Sequence, residues 1–373
     1  GLVTGVQTCA LPISRWYRQG KQVRVRDSRE LNDLLSTVCD DLFPAAPIIR
    51  NEIINRSELS SSAAAARRNL IQAMIEHPTV EGLGIVGNPP ERSVYLSVLR
   101  ELGLHRPSKG GVHAFSAAPD NSRNNAKRLL EGIHEFFVSA EGERRTVAEL
   151  FGMLKAPPYG VRAGVLPVIL AAVLLASESE IALYEDGAFV PQLTVELFER
   201  LMKTPELFAV RRWTVTGVRA AIFSQMSGLL GNLDESRTGR EQVLNVVKPL
   251  LRFYLRLDAY SQNSRSLSDR AIQVRDALAN ATEPDQLLFT ELPKACGIQP
   301  FASTSRERDS DAKMYVVRLR ESISELQRAY DSLLQALQHS LADAFGVAQN
   351  LPALRHSLRS EEHTSELQSL SHL

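Results

Sequence analysis

Apolar residues recur at three- and four-residue spacing along most of the chain, which predicts a mainly α protein built from several helical units. Ser28, Thr146 and Thr194 stand before apolar runs and are predicted N-caps. The predicted helices outside the middle of the chain cover residues 28–43, 47–56, 60–77, 91–102, 124–138, 240–260, 267–279 and 311–345.

The helix predicted over 311–345 carries a seam of apolar side chains. We expect this seam to pack back against an earlier helix, because it covers barely two heptads and is short for an independent coiled coil. Its residues are Ile323, Leu326, Tyr330, Leu333 and Leu337.

Short strands are predicted at two places. Near the start, Val23 and Val25 alternate with arginines after Gly20, which indicates a strand or hairpin. In the middle, Asp186-Gly187 favours a tight turn between two strands within residues 181–190. The chain therefore combines helices with small β elements.

The middle of the chain has the order of a winged-helix-like module with a small β-hairpin. A helix capped by Thr146 is broken at Pro157-Pro158, and an apolar helix over 162–177 follows it. The hairpin, the helix capped by Thr194 and an extended segment at 208–215 come next. The apolar run 165–176 is shorter than the roughly 20 residues that span a membrane, so a buried core helix is the preferred interpretation.

The length of the chain exceeds one comfortable hydrophobic core, which predicts two or three packed units. We divide it into a helical region with a short β entry at 15–140, the winged-helix-like module at 141–215 and a second helical region at 216–350. Segments 106–125 and 301–309 are polar and rich in turn-forming or charged residues, so we expect them to be linkers or loops.

Both ends resemble translated sequencing adapter. Residues 3–13 fit the reverse complement of a common short-read adapter, and residues 359–369 fit its forward strand. We therefore expect 1–14 and 359–373 to be artefacts and the segment between them to be cut from a longer reading frame.

Charge and cysteine content favour a cytoplasmic protein. The chain has 43 basic and 43 acidic residues. One arginine and three glutamates fall in the adapter-like ends, so the remainder carries a net charge of about +2. A net charge this small does not indicate binding to nucleic acid or to a membrane. Cys39 and Cys296 are far apart and lack zinc-ligand spacing, which fits a reducing compartment and no metal site.

Motifs for catalysis or cofactor binding do not emerge. Residues 82–87 match Gly-x-Gly-x-x-Gly, but a predicted helix precedes them and Pro89-Pro90 follow, so a loop is the preferred interpretation. The sequence contains neither a Gly-x-x-x-x-Gly-Lys-Ser/Thr phosphate loop nor a Gly-x-Ser-x-Gly elbow. We therefore predict no cofactor in this segment, leave open whether the full-length protein is an enzyme, and rank a stand-alone enzyme last.

Nucleic-acid binding is the alternative function. A winged helix reads DNA with the helix before the wing, and arginines can contact phosphates. That helix is almost wholly apolar here, and the wing carries Glu185 and Asp186, so we favour a module that packs against protein. Under the alternative, the residues that would contact nucleic acid are Arg144, Arg145, Arg162, Arg211 and Arg212.

Five stretches resemble the non-catalytic middle of very large bacterial P-loop ATPases linked to phage defence, the PglY-like and BrxC-like proteins of the BREX and Pgl type. These stretches are 51–56, 60–68, 157–160, 182–191 and 287–293. The resemblance spans most of 16–350 and implies a helical scaffold that couples an upstream nucleotide-binding core to defence partners or DNA. It implies as partners other segments of the same larger protein and proteins of a defence complex, with no membrane, and it carries over no catalytic residue.

Overall fold

The fold is mainly helical. The computed structural model describes residues 15–108, 110–117, 125–213, 243–301 and 309–344, with the single positions 346, 352, 355, 356 and 359. Within this part of the chain there are two compact units. The first contains 15–187 and 193–212, and the second contains 188–192 and the residues from 213 onward.

The first unit combines seven helices with short antiparallel strand pairs. Its helices are α1 (Ser28–Leu42), α2 (Ser61–Glu76), α3 (Pro90–Val94), α4 (Ala126–Ser139), α5 (Val147–Lys155), α6 (Leu166–Ala176) and α7 (Val195–Lys203). Its strands are β1 (Trp16–Arg18), β2 (Lys21–Val23), β3 (His105–Pro107), β4 (His113–Phe115), β5 (Arg145–Thr146), β6 (Ile181–Glu185) and β8 (Phe208–Arg212). Strand β7 (Ala188–Val190), which lies between β6 and β8 in the sequence, belongs to the second unit. Strand β1 pairs with β2 and β3 with β4, while β8 lies between β5 and β6.

Helix α6 forms the core of the first unit. Nine of its eleven residues are buried, and α2, β4 and the π-helical segment Tyr95–Arg100 pack against it. Fully burying a leucine or isoleucine side chain stabilises a fold by about 1.5–3 kcal/mol, so this helix is a large stabilising element. The prediction of a buried core helix is confirmed. No helix in the described ranges is long and apolar enough to cross a membrane.

Two of the three predicted N-caps are confirmed. The hydroxyls of Thr146 and Thr194 accept hydrogen bonds from backbone N–H groups in the first turns of α5 and α7, and the Ser60 hydroxyl caps α2 in the same way. At α1 the predicted cap Ser28 is wrong, because the carboxylate of Asp27 accepts the bonds from Arg29 and Glu30 instead. A carboxylate also interacts favourably with the positive end of the helix dipole.

The helix predicted over 47–56 is wrong, because this segment is irregular. The Asn51 side-chain oxygen accepts the Ile53 N–H at 2.9 Å, and the Asn55 amide donates to the Ile49 carbonyl at 3.0 Å. These local bonds offer the backbone an alternative to helical pairing. Ile49 and Ile54 are nevertheless buried, so their apolar spacing serves the core without a helix.

Part of the linker predicted over 106–125 is an antiparallel hairpin. Strands β3 and β4 align His105 with Phe115 and Pro107 with His113, and the His105 ring packs 4.8 Å from the Phe115 ring between centroids. Lys109 and residues 118–124 of the predicted linker lie outside the described residues.

The predicted strands near Asp186-Gly187 and Gly20 are confirmed. Asp186 and Gly187 have φ values of 47° and 81°, the left-handed conformation that a primed two-residue turn requires, and β6 and β7 flank them. At the start of the chain, β1 and β2 pair around Gln19-Gly20.

The second unit contains six described α-helices, the longest of which is α13. They are α8 (Val243–Arg256), α9 (Ala259–Asn263), α10 (Asp269–Ala279), α11 (Pro284–Gln286), α12 (Leu292–Ala295) and α13 (Asp309–Ala344). Helix α13 packs against α9 and α10, and α10 also packs against α8 and α12. Residues 214–242 and 302–308, which include parts of the predicted module, the predicted helix 240–260 and the predicted loop 301–309, lie outside the described residues.

A π-helical segment, Leu287–Glu291, joins α11 to α12. Two of its carbonyls accept hydrogen bonds from elsewhere in the second unit: the Tyr315 hydroxyl donates to Leu288 at 3.0 Å, and the Phe301 N–H donates to Phe289 at 2.9 Å. Tyr315 is fully buried, and burial raises its pKa well above the usual value, so the hydroxyl stays protonated as a donor. These bonds fix α13 against the π-helical turn.

The apolar seam of α13 behaves differently in its two halves. Ile323 and Leu326 are buried, as the packing prediction requires. Tyr330 is 44% exposed but its ring packs against that of Tyr260 in α9, 6.4 Å away between centroids. The prediction is wrong for Leu337, which is 49% exposed. Beyond Ala329 burial along the helix is sparse, although Ala342 is fully buried.

Gly164, in the turn before α6, lies very close to the irregular segment. A Cβ atom at Gly164 would lie 2.3 Å from the Ile54 carbonyl oxygen and 2.9 Å from that of Arg56, to which the Gly164 N–H donates a hydrogen bond. A backbone carbonyl cannot move aside as a flexible side chain can.

We therefore expect Gly164→Ala to lower the free energy of unfolding by about 1–3 kcal/mol, the usual cost of overpacking. The matched control is Gly152→Ala, because a Cβ at Gly152 in α5 would meet nothing within 4 Å. Alanine there removes the cost of helical glycine, so we expect the stability to stay equal or rise by up to about 1 kcal/mol. Urea unfolding of both variants tests this, and equal stabilities would contradict it.

Candidate functional site

Arg144 and Arg145 are held by neighbouring groups of the first unit. Arg144 Nη1 donates to the Gly187 carbonyl at 2.9 Å, and its guanidinium lies 3.7 Å from the centroid of the Tyr184 ring. Arg145 pairs with Glu149 at 2.6 Å and lies over the Phe136 ring at 4.8 Å. Both cations therefore stabilise the edge of the sheet.

Arg211 and Arg212 are consecutive in β8, so their side chains leave opposite faces of the strand. Arg212 forms an ion pair with Glu180 at 3.4 Å, and both side chains are largely buried. Arg211 is half-buried, opposite Ala182. The structure therefore does not gather these two arginines into one cationic surface.

Arg162 differs from the other four arginines. It lies in the turn before α6 and is exposed. Neither a hydrogen bond nor an ion pair of its side chain occurs within the described residues. The five arginines are thus divided among β5 and the residue before it, β8, and a separate turn.

The acidic side chain predicted for the wing is neutralised. Glu185 accepts two hydrogen bonds from Arg200, at 2.5 Å from Nε and 2.7 Å from Nη2. This bidentate pair lowers the pKa of Glu185 below its usual value. The carboxylate is therefore tied to α7.

A cleft on another part of the first unit combines polar and apolar groups. It encloses about 680 Å³, within the range of small-molecule sites. It is formed where the irregular segment faces α3 and the π-helical segment that continues it. Its lining residues are Ile48, Arg50, Asn88, Pro89, Arg92, Ser93, Leu96, Ser97 and Glu101.

Asn51 connects the two walls of this cleft. Its side-chain amide is buried and donates to the hydroxyls of Ser93 at 3.1 Å and Ser97 at 2.8 Å. The Ser97 hydroxyl donates in turn to the Ser93 carbonyl at 2.8 Å. The Ser93 hydroxyl accepts from Asn51, which leaves its own hydrogen available towards the cleft.

The two arginines of the cleft differ in mobility. Arg92 Nη1 donates to the carbonyls of Ile85 at 3.1 Å and Gly87 at 3.0 Å, which fixes the guanidinium plane and leaves the N–H groups of Nη2 and Nε. Arg50 is exposed, and among the described residues its side chain has neither a hydrogen bond nor an ion pair. The cleft is therefore lined by one guanidinium that hydrogen bonds hold in place, that of Arg92, and by one that is not held in this way, that of Arg50.

A buried tyrosine–histidine pair supports the π-helical wall from behind. His105 is 2% exposed; its Nε2 donates to the Pro78 carbonyl at 3.1 Å, so Nδ1 accepts the Tyr95 hydroxyl at 3.0 Å. Burial, and to a smaller extent the neighbouring His113, lower the pKa of His105 below its ordinary value. The imidazole is therefore neutral, as this hydrogen-bond chain requires.

The described residues do not form a candidate metal site. No cluster of three or more histidine, cysteine or acidic residues among them could hold a metal ion. Cys39 and Cys296 are free thiols, and burial raises the pKa of Cys296 to about 11, which keeps it protonated.

The cleft was not found from the sequence. Its residues come from two segments about 40 positions apart, and one of these segments was predicted to be helical. The sequence predicts a loop near residues 82–90, and Gly82 and Leu83 in this loop adopt turn conformations with positive φ. An available signal was the polar pair Ser93 and Ser97 inside an otherwise amphipathic helix.

The hydrogen-bond chain through His105 predicts a pH effect on stability. The unfolded histidine has a pKa near 6.5 and the folded one a lower pKa, so the unfolded state binds more protons below pH 6.5. Stability should therefore fall as the pH drops below 6.5, by up to about 1.4 kcal/mol per pH unit from this group.

His105→Gln should remove this contribution, because a glutamine amide can also donate to Pro78 and accept from Tyr95 without titrating. Urea unfolding across this pH range should show the wild-type curve falling more steeply than that of the variant. Parallel curves would contradict the assignment.

Comparison with known proteins adds no constraint on the site. No family model, no curated protein and no solved structure matches this chain.

Proposed function

We propose that this chain is a non-catalytic helical scaffold whose winged-helix-like module packs against protein. The observation that carries the proposal is the burial of α6, the helix that would read DNA in a winged helix. A reading helix presents polar side chains to base edges in the major groove. Nine of the eleven residues of α6 instead lie in the core of the first unit.

The arginines support the same proposal. Arg145 and Arg212 are paired with carboxylates of the first unit, so phosphates would have to compete with these ion pairs. Arg144 is held by the Gly187 carbonyl and the Tyr184 ring. Nucleic-acid binding draws most of its affinity from cations that neutralise phosphates. Only Arg162 of the predicted five is exposed and without a partner in the described ranges.

The resemblance to large phage-defence ATPases supplies the wider role. In this proposal the chain is a coupling region of a large cytoplasmic ATPase-type protein, and its partners are other segments of that protein and proteins of a defence complex. Each of the two units has a buried core and specific internal hydrogen bonds. A unit built in this way can pass on a movement without unfolding, which suits a coupling region. Nucleotide chemistry would belong to the segment that precedes this one in the full-length protein.

We expect negligible DNA affinity. A fluorescently labelled duplex and a single strand, titrated at low salt, should show dissociation constants no tighter than about 10⁻⁴ M, the weak end of non-specific binding. Arg162→Ala should leave this result unchanged. Micromolar binding that weakens with added salt and with Arg162→Ala would favour the nucleic-acid-binding alternative.

The ATPase context predicts what adjoins this segment in its reading frame. Amplification and sequencing outward from positions 15 and 358 should recover, upstream, a Gly-x-x-x-x-Gly-Lys-Ser/Thr loop after a predicted strand. A start codon directly before residue 16 and a stop soon after residue 350 would contradict the ATPase context. That outcome would leave a free-standing helical binding protein.

A further inference from the structure

We propose that the cleft between the irregular segment and the π-helical wall binds a small phosphomonoester with an apolar or aromatic body. The proposal goes beyond the scaffold function and rests on different residues. Two arginines and one glutamate line the cleft, so the charge of its lining favours an anion. Short π-helical segments also occur frequently at functional sites.

The phosphate head would be held by donors that are already placed. Arg92 presents Nη2 and Nε beside the Nη1 group that is bonded to two carbonyls, so its fork is oriented before a ligand arrives. Ser93 adds a hydroxyl donor that Asn51 orients. Orientation before binding lowers the entropy lost on association.

Arg50 would complete the site around the phosphate. Its guanidinium is exposed and lacks a partner in the described ranges, so it can close over an anion without breaking a bond within the chain. A phosphomonoester offers three acceptor oxygens and nearly two negative charges. A carboxylate offers two oxygens and a single charge, and would leave part of this donor set unused.

The apolar part of the lining would hold the body of the ligand. Ile48 is 48% exposed, and Pro89 and Leu96 line the cleft beside it. Covering these groups with an apolar or aromatic ring removes hydrocarbon surface from water. A volume of about 680 Å³ accommodates a ring together with its phosphate.

The first experiment titrates the chain with phenyl phosphate, inorganic phosphate and benzoate, followed by calorimetry and by the ³¹P chemical shift of the two phosphates. We expect saturable binding of phenyl phosphate, weaker binding of inorganic phosphate because it lacks the ring, and weaker binding of benzoate because it lacks the third oxygen. Adenosine monophosphate serves as a second aromatic phosphomonoester. Absence of saturable binding by both esters would overturn the proposal.

Variants separate the cleft from general surface charge. Arg50→Ala and Arg92→Gln should each weaken phenyl phosphate binding by about tenfold or more, the usual loss of a charged hydrogen-bond donor. Arg100→Ala is the matched control, since Arg100 is an exposed arginine of the same π-helical segment that does not line the cleft. Equal weakening by Arg100→Ala and Arg50→Ala would overturn the assignment of the site.

Folding is controlled separately, because Arg92 also bonds the loop before α3. Arg50 has no such bond to the residues that the structure describes, so Arg50→Ala tests the proposal even where Arg92→Gln is unstable. The outcome is independent of the scaffold proposal: DNA binding or a missing ATPase loop would leave the ligand titration unaffected.

Discussion

The burial of α6 is the constraint on which the first unit depends. A helix that is apolar on every side can be stable in water only when other elements surround it, and here α2, β4 and the π-helical segment do so. The approach of the irregular segment is possible because Gly164 has no side chain. The same burial leaves few side chains of α6 exposed to solvent, which is the observation on which the proposed scaffold function rests.

In the second unit, hydrogen bonds to backbone carbonyls hold a π-helical turn against other elements. A π-helical turn presents carbonyls that partners from other elements must satisfy, and the Tyr315 hydroxyl and the Phe301 N–H do so. The first unit uses the Asn51 amide in a similar way, where it joins the irregular segment to the serines of its own π-helical wall. Specific polar bonds therefore position the helices that apolar burial brings together.

Local rules predicted the helices well and the irregular segments poorly. Caps such as Thr146 and Thr194, and the turn at Asp186-Gly187, depend on a few neighbouring residues, and the sequence predicts them. The segment 47–56 has helical spacing, but side-chain bonds of Asn51 and Asn55 override it. The hairpin of β3 and β4 lies in a polar segment that contains glycines, and this composition favours the prediction of a linker. The cleft is formed by segments that are far apart in the sequence, so no local pattern predicts it.

Asn51 performs two tasks with one side chain. Its oxygen shapes the backbone of the irregular segment, and its nitrogen sets the hydroxyl geometry of the opposite wall. With respect to mutation the two walls are therefore one element, because any substitution of Asn51 would alter the irregular segment and the hydroxyls of the opposite wall together.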